Sequence, residues 1–205
     1  MKRAAAVLLL LTVLISLTAC TQKTTPETTE TVSGTQDPGT TGSASEEARL
    51  AQIRQEAEAF LKAHPDEMEA LAEVMLQAHG AGGIYQFFPR EEALYAYKSG
   101  DHLPQERLRE HPILDAAAFL RGTELFDRLF VSEWELGSPG CAFRKALNDP
   151  TGHPLYWCEL IWCPDASGDP AAFSKAAIAV DEIAPGWYWY LEPTPDGPEI
   201  EASIG

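Results

Sequence analysis

Two segments of this chain, Tyr156-Trp157-Cys158-Glu159-Leu160-Ile161-Trp162-Cys163 and Trp187-Tyr188-Trp189-Tyr190-Leu191, lack a polar face. Their aromatic and branched residues, bounded by turn residues, mark them as strands. Side chains alternate across a strand, so Trp157 and Ile161 face one way, and Tyr156, Leu160 and Trp162 the other. An antiparallel sheet usually leaves one face to water, whereas here both need cover. Helices can supply one cover; loops, a partner or a ligand must supply the second. Two readings stay open. In one, the rings fill a two-sided core through cross-strand pairing. In the other, Trp157, Trp162, Trp187 and Trp189 offer a partly exposed platform for a sugar, a peptide or a protein. Alternation lets only part of that set share a face.

The rest of the pattern sets the class. Ser43-x-x-Glu46 fits a capping box, and Leu50, Ile53, Ala57, Phe60 and Leu61 follow at helical spacing. His64-Pro65 interrupts, and Pro65 suits the first position of a second helix. Met68, Leu71, Ala72 and Met75 continue its apolar stripe, and Gly80 marks a stop. Strands are expected at 84–88 and 93–98. Helices are expected at 105–109 and 113–125, the latter with Leu114, Ala117, Ala118 and Leu125 turned inward. Further strands are expected at 129–135, 141–147, 155–163, 176–183 and 187–192, separated by short turns rich in glycine and proline, with an alanine-rich helix over 171–179 as the alternative to the fourth. Helices followed by consecutive strands predict an α+β domain over 46–205, with N-terminal amphipathic helices packed on an antiparallel meander.

The N-terminus carries an address. Lys2 and Arg3 precede an apolar run, Ala4 to Leu17, which is too short to span a membrane and ends in Leu17-Thr18-Ala19-Cys20. This tetrapeptide resembles the lipobox of bacterial lipoproteins. The resemblance implies that residues 1–19 are a signal peptide, that the Cys20 thiol receives a diacylglycerol, and that the chain sits on the outer face of the cell membrane. Each acyl methylene buried there contributes about 0.8 kcal/mol of anchoring. Thr21 to Ser45 is threonine-rich, with Pro26 and Pro38, one branched aliphatic residue and no aromatic. It reads as a disordered tether spanning about 25–30 Å. The Gly186-Trp187-Tyr188-Trp189-Tyr190 segment resembles strands of uncharacterised exported lipoproteins of Gram-positive bacteria, a likeness that implies no activity.

With Cys20 lipidated, Cys141, Cys158 and Cys163 remain, so at most one disulfide forms. If the turn 148–154 joins two strands with Leu147 facing Leu155, Cys141 lies opposite Ile161. A slip of two residues in that register brings Cys141 opposite Cys163, which makes Cys141–Cys163 the bond within reach. Cys158 and Cys163 have opposite parity on one strand and point apart.

The formal charge of −16 argues against nucleic acid, whose binding rests on Lys and Arg, and leaves cations, basic peptides, saccharides and envelope proteins as partners. Signatures for chemistry are missing: no H-E-x-x-H, C-x-x-C, G-x-S-x-G or phosphate loop occurs. Asp165-Ala166-Ser167-Gly168-Asp169 spaces oxygens as a calcium loop does, but Pro170 and Ala176 stand where that loop needs glycine and glutamate. No metal or cofactor is therefore expected. The resulting expectation is a lipid-anchored, non-enzymatic binding domain at the cell envelope. The rivals are an envelope hydrolase using two convergent carboxylates and a structural accessory subunit.

Overall fold

A computed structural model describes residues 40–133, 138–166 and 176–195. The expected signal peptide, Cys20 and residues 21–39 lie outside the described residues. Among the described residues, three α-helices accompany eight strands in one antiparallel sheet, which establishes the α+β class.

Helix α1 spans Thr40–Ala63, so residues 40–45, read from the sequence as tether, are helical. Extending a nucleated helix costs little, and Ala44, Glu46, Glu47 and Ala48 include strong helix formers. Helix α2 spans Pro65–Gly80 and buries Met68, Leu71, Ala72 and Met75 along one stripe. It closes through Gly82 at φ +87°, where the Gly83 N–H donates to the Ala78 carbonyl at 3.0 Å. Only glycine takes that left-handed position without a steric penalty.

Strands β1 (Ile84–Phe88) and β2 (Ala93–Tyr97) form a hairpin around a 3-10 turn at Pro89–Glu91. The helix expected at 105–109 is instead β3 (Glu106–Leu108), which pairs Leu108 with Leu94 and Glu106 with Ala96. The open edge of β2 satisfies its backbone groups, an outcome that local propensity does not foresee. Helix α3 (Pro112–Ala116) passes into a 3-10 turn, Ala117–Leu120, and ends there rather than at Leu125. The tighter winding turns Ile113, Ala117 and Leu120 inward, leaving Leu114 and Leu125 half-buried and Ala118 exposed.

Strands β4 (Arg128–Glu133), β5 (Pro139–Asn148), β6 (Pro154–Trp162), β7 (Ala179–Ala184) and β8 (Trp187–Pro193) complete the sheet. Their order, β3-β2-β1-β4-β5-β6-β8-β7, departs from the expected meander in two places. β4 returns beside β1, and β8 inserts between β6 and β7. The second departure follows burial. β8 is buried from Trp187 to Leu191 and takes an interior place, while β7 exposes Asp181 and Glu182, charges that protect a sheet edge.

Helices and sheet share one large core. Leu61, Leu71 and Met75 belong to the same buried cluster as Phe143, Leu160, Trp162 and Trp189. The opposite face carries a smaller cluster of Ala142, Ile161, Cys163, Tyr188 and Tyr190.

Candidate functional site

The register between β5 and β6 governs what meets on each face. Asn148 opposes Pro154, but Leu147 opposes Tyr156, so a bulge leaves Leu155 unpaired and shifts every later pair by one residue. Cys141 thus opposes Trp162 rather than Ile161 or Cys163. Cys141 and Cys163 consequently belong to different clusters on opposite faces, and the expected disulfide is not formed. Burial pushes all three thiols up, that of Cys158 to about 12, so they are poor nucleophiles.

The four tryptophans are divided as well. Trp162, Trp187 and Trp189 are 8%, 4% and 3% exposed and pack in the core shared with the helices. Trp162 and Trp187 lie 5.2 Å apart between ring centroids, and the buried Trp162 Nε1 has no acceptor. Trp157 is half-buried and lies over the Arg144 guanidinium at 4.6 Å. No shared platform results.

Trp187 does reach a groove. Leu61 and Lys62 near the end of α1, Pro65 and Glu69 of α2, and Ile183, Ala184 and Pro185 at the β7–β8 turn enclose about 560 Å³ with it. Glu58 and Glu69 place two carboxylates on the rim against the one ammonium of Lys62. Arg54 braces this wall, donating to Glu58 at 2.7 Å and to Asp181 of β7 at 2.6 Å. The volume lies within the range of small-molecule sites.

The second face holds a polar centre that the alternation argument missed by treating both faces as apolar. Arg128, Arg144, Glu159 and Tyr190 form one cross-strand row through β4, β5, β6 and β8. Arg144 donates from both Nε and Nη2 to Glu159 Oε1, each at 2.5 Å, while Glu159 Oε2 is buried with no partner. Both guanidinium groups lie over the Phe130 ring, Arg128 at 4.9 Å and Arg144 at 4.5 Å. Burial pushes the Glu159 carboxyl up, against the opposing pull of Arg144. Burial, aided by repulsion from Arg144, lowers Arg128. The sequence signal was present: Glu159 is the one charge in its strand, and its partner emerges once the register is known.

Ser167 to Asp169 of the calcium-like loop lie outside the described residues, and Asp165 is exposed. Among the described residues no group of three His, Cys, Asp or Glu side chains is placed to hold a metal, and no helix is long and apolar enough to cross a membrane. No family model, curated protein or solved structure matches this chain.

Proposed function

We propose that this chain is a lipoprotein, held at the outer face of the cell membrane through Cys20, whose folded domain is a non-enzymatic binding module. Its site is the groove between the α1–α2 corner and the β7–β8 turn, and its ligand is a small apolar molecule, neutral or cationic. In this reading the N-terminal helices serve both as cover for the sheet and as one wall of the site. The observation that carries the reading is the groove itself: about 560 Å³, lined by the apolar Leu61, Ile183, Ala184 and Trp187 together with Glu58, Glu69 and Lys62. Apolar walls with a few placed charges suit small-ligand recognition. The net charge of −16 favours a cation over an anion there. Of the two carboxylates that line the groove, Glu58 is held by Arg54 at 2.7 Å, and the buried Glu159 lines none of it, which supports binding over hydrolysis.

Anchor and site are tested separately. Bacteria expressing the chain and fed labelled palmitate incorporate label into the wild type and none into Cys20→Ala; equal labelling of both removes the anchor from the proposal. For the site, thermal unfolding of the full chain in detergent is followed against hydrophobic amines and small neutral apolar compounds. A ligand at 100 times its Kd stabilises by about 2.7 kcal/mol, a rise on the order of 5–10 °C in Tm. Ala184→Phe, which fills the groove, is expected to abolish that rise. A ligand that stabilises wild type and Ala184→Phe equally excludes the groove, and no rise with any class excludes the small-ligand reading.

A further inference from the structure

The polar centre lies on the face of the sheet opposite that groove, where no helix packs among the described residues. We propose that Arg128 and Arg144 form a second binding site, specific for a small organic carboxylate.

The geometry separates the two arginines. Arg144 spends two donors on a single oxygen of Glu159. Among the described residues, Arg128 makes one long hydrogen bond, from Nη1 to Gln86 Oε1 at 3.3 Å, and no ion pair with a carboxylate. A guanidinium carries five N–H donors, so most of those on Arg128 are unspent. The two side chains sit directly opposite one another across β4 and β5, where like charges repel. A shared carboxylate between them relieves that repulsion and uses the planar fork, whose spacing matches a carboxylate.

The aromatic rings fix the fork. Phe130 lies against both guanidinium groups and Trp157 against the second, which limits their rotation before any ligand arrives. Glu159 is the internal counter-ion that orients Arg144; it is a positioning residue and also the competitor of an incoming anion. Arg128, Phe130, Arg144 and Trp157 are all half-buried, so the arginine end of the row is partly open to solvent while Glu159 and Tyr190 are buried beneath it. The size of the anion follows from the remaining charge. With a formal charge of −16, a polyanion meets repulsion wherever it leaves the row. A single carboxylate stays beside the two guanidinium groups, and acidic groups farther off than about 8 Å, one screening length at physiological salt, are largely screened from it.

The test is a titration of the full chain, in detergent and labelled with nitrogen-15, with sodium acetate and sodium glucuronate. Sodium chloride and methyl glucuronate are the controls. Either carboxylate is expected to shift the Arg128 and Arg144 Nε–H and the Trp157 indole N–H resonances saturably, at concentrations where the controls do not. Arg128→Lys keeps the charge but loses the fork, and is expected to weaken binding at least tenfold. Glu159→Gln removes the competing charge in the same shape and is expected to tighten binding severalfold, a gain that a merely structural role for Glu159 would not produce. Ala184→Phe, which blocks the separate groove, is expected to leave the carboxylate-induced shifts as they are. Failure of both carboxylates to saturate, equal shifts with chloride, or undiminished binding by Arg128→Lys overturns the proposal while leaving the groove untouched.

Discussion

Replacing Arg144 with alanine is expected to destabilise the domain by about 3–5 kcal/mol at neutral pH, the cost typical of removing one partner from a buried ion pair. The loss does not measure the worth of the salt bridge. It arises because Glu159 is wholly buried and would be left with neither oxygen bonded, Oε2 being unpartnered already. The packing of the guanidinium against Phe130 and Trp157 is lost with it. The pH dependence identifies the cause. Burial raises Glu159 and Arg144 opposes it, so the substitution leaves burial unopposed and the carboxyl rises further. A carboxyl raised in the folded state binds its proton more tightly there than in the unfolded chain, where its value is about 4.3. Its contribution to stability is therefore fully present below that value and is lost as pH rises through the folded value. The deficit of Arg144→Ala is thus expected to be smaller at pH 5 than at pH 8. Urea denaturation of wild type, Arg144→Ala and Arg144→Ala/Glu159→Leu at both pH values checks this. The double variant, which removes the stranded charge, is expected to recover most of the loss. A deficit that is equal at the two pH values would show that Glu159 is not the source.

Gly186→Ala is expected to cost about 3 kcal/mol, from two separable causes. Gly186 holds φ +74°, where an L side chain is disfavoured by roughly 1–2 kcal/mol. A methyl group there would also stand 2.7 Å from Trp162 Cζ3 and 3.1 Å from Cη2. Trp162 cannot yield cheaply, because it is buried and packs against Trp187; crowding of this kind costs about 1–3 kcal/mol. The turn itself is tied to β6, since the Cys163 N–H donates to the Gly186 carbonyl at 2.9 Å. Gly152→Ala provides the comparison. Gly152 holds φ +92°, and nothing lies within 4 Å of an added methyl, so only the backbone cost applies. Thermal or urea unfolding should rank the two losses in that order. Equal losses would mean that the ring at Gly186 moves aside without cost.

Some of this molecule is written locally. The apolar stripe Met68, Leu71, Ala72 and Met75 is buried as its spacing requires, because 3.6-residue periodicity is a property of one short segment. Likewise the parity of β6 places Tyr156, Leu160 and Trp162 in one cluster and Ile161 in the other. The segments β1, β2, β5, β6 and β8 fall close to their expected positions for the same reason. Where local propensity competed with a distant partner, it lost. Residues 106–108 became a strand because β2 had an open edge, and β8 took the place beside β6 because its side chains needed cover on both faces.

The polar centre and the cysteines show the division most clearly. With Leu147 opposite Leu155, Arg144 would lie opposite Cys158, so the ion pair would be impossible, and Cys141 would share a face with Cys163, two residues short of the slip that brings the two thiols opposite. The bulge at Leu155 moves the register by one residue, which inverts both outcomes: Arg144 meets Glu159, and Cys163 turns away from Cys141. The sequence by itself determined that 141–147 and 155–163 are strands, and which residues share a face within each. Only the tertiary structure decided how the two strands line up, because a single unpaired residue reverses every pairing across the hairpin while leaving the pattern of each strand unchanged.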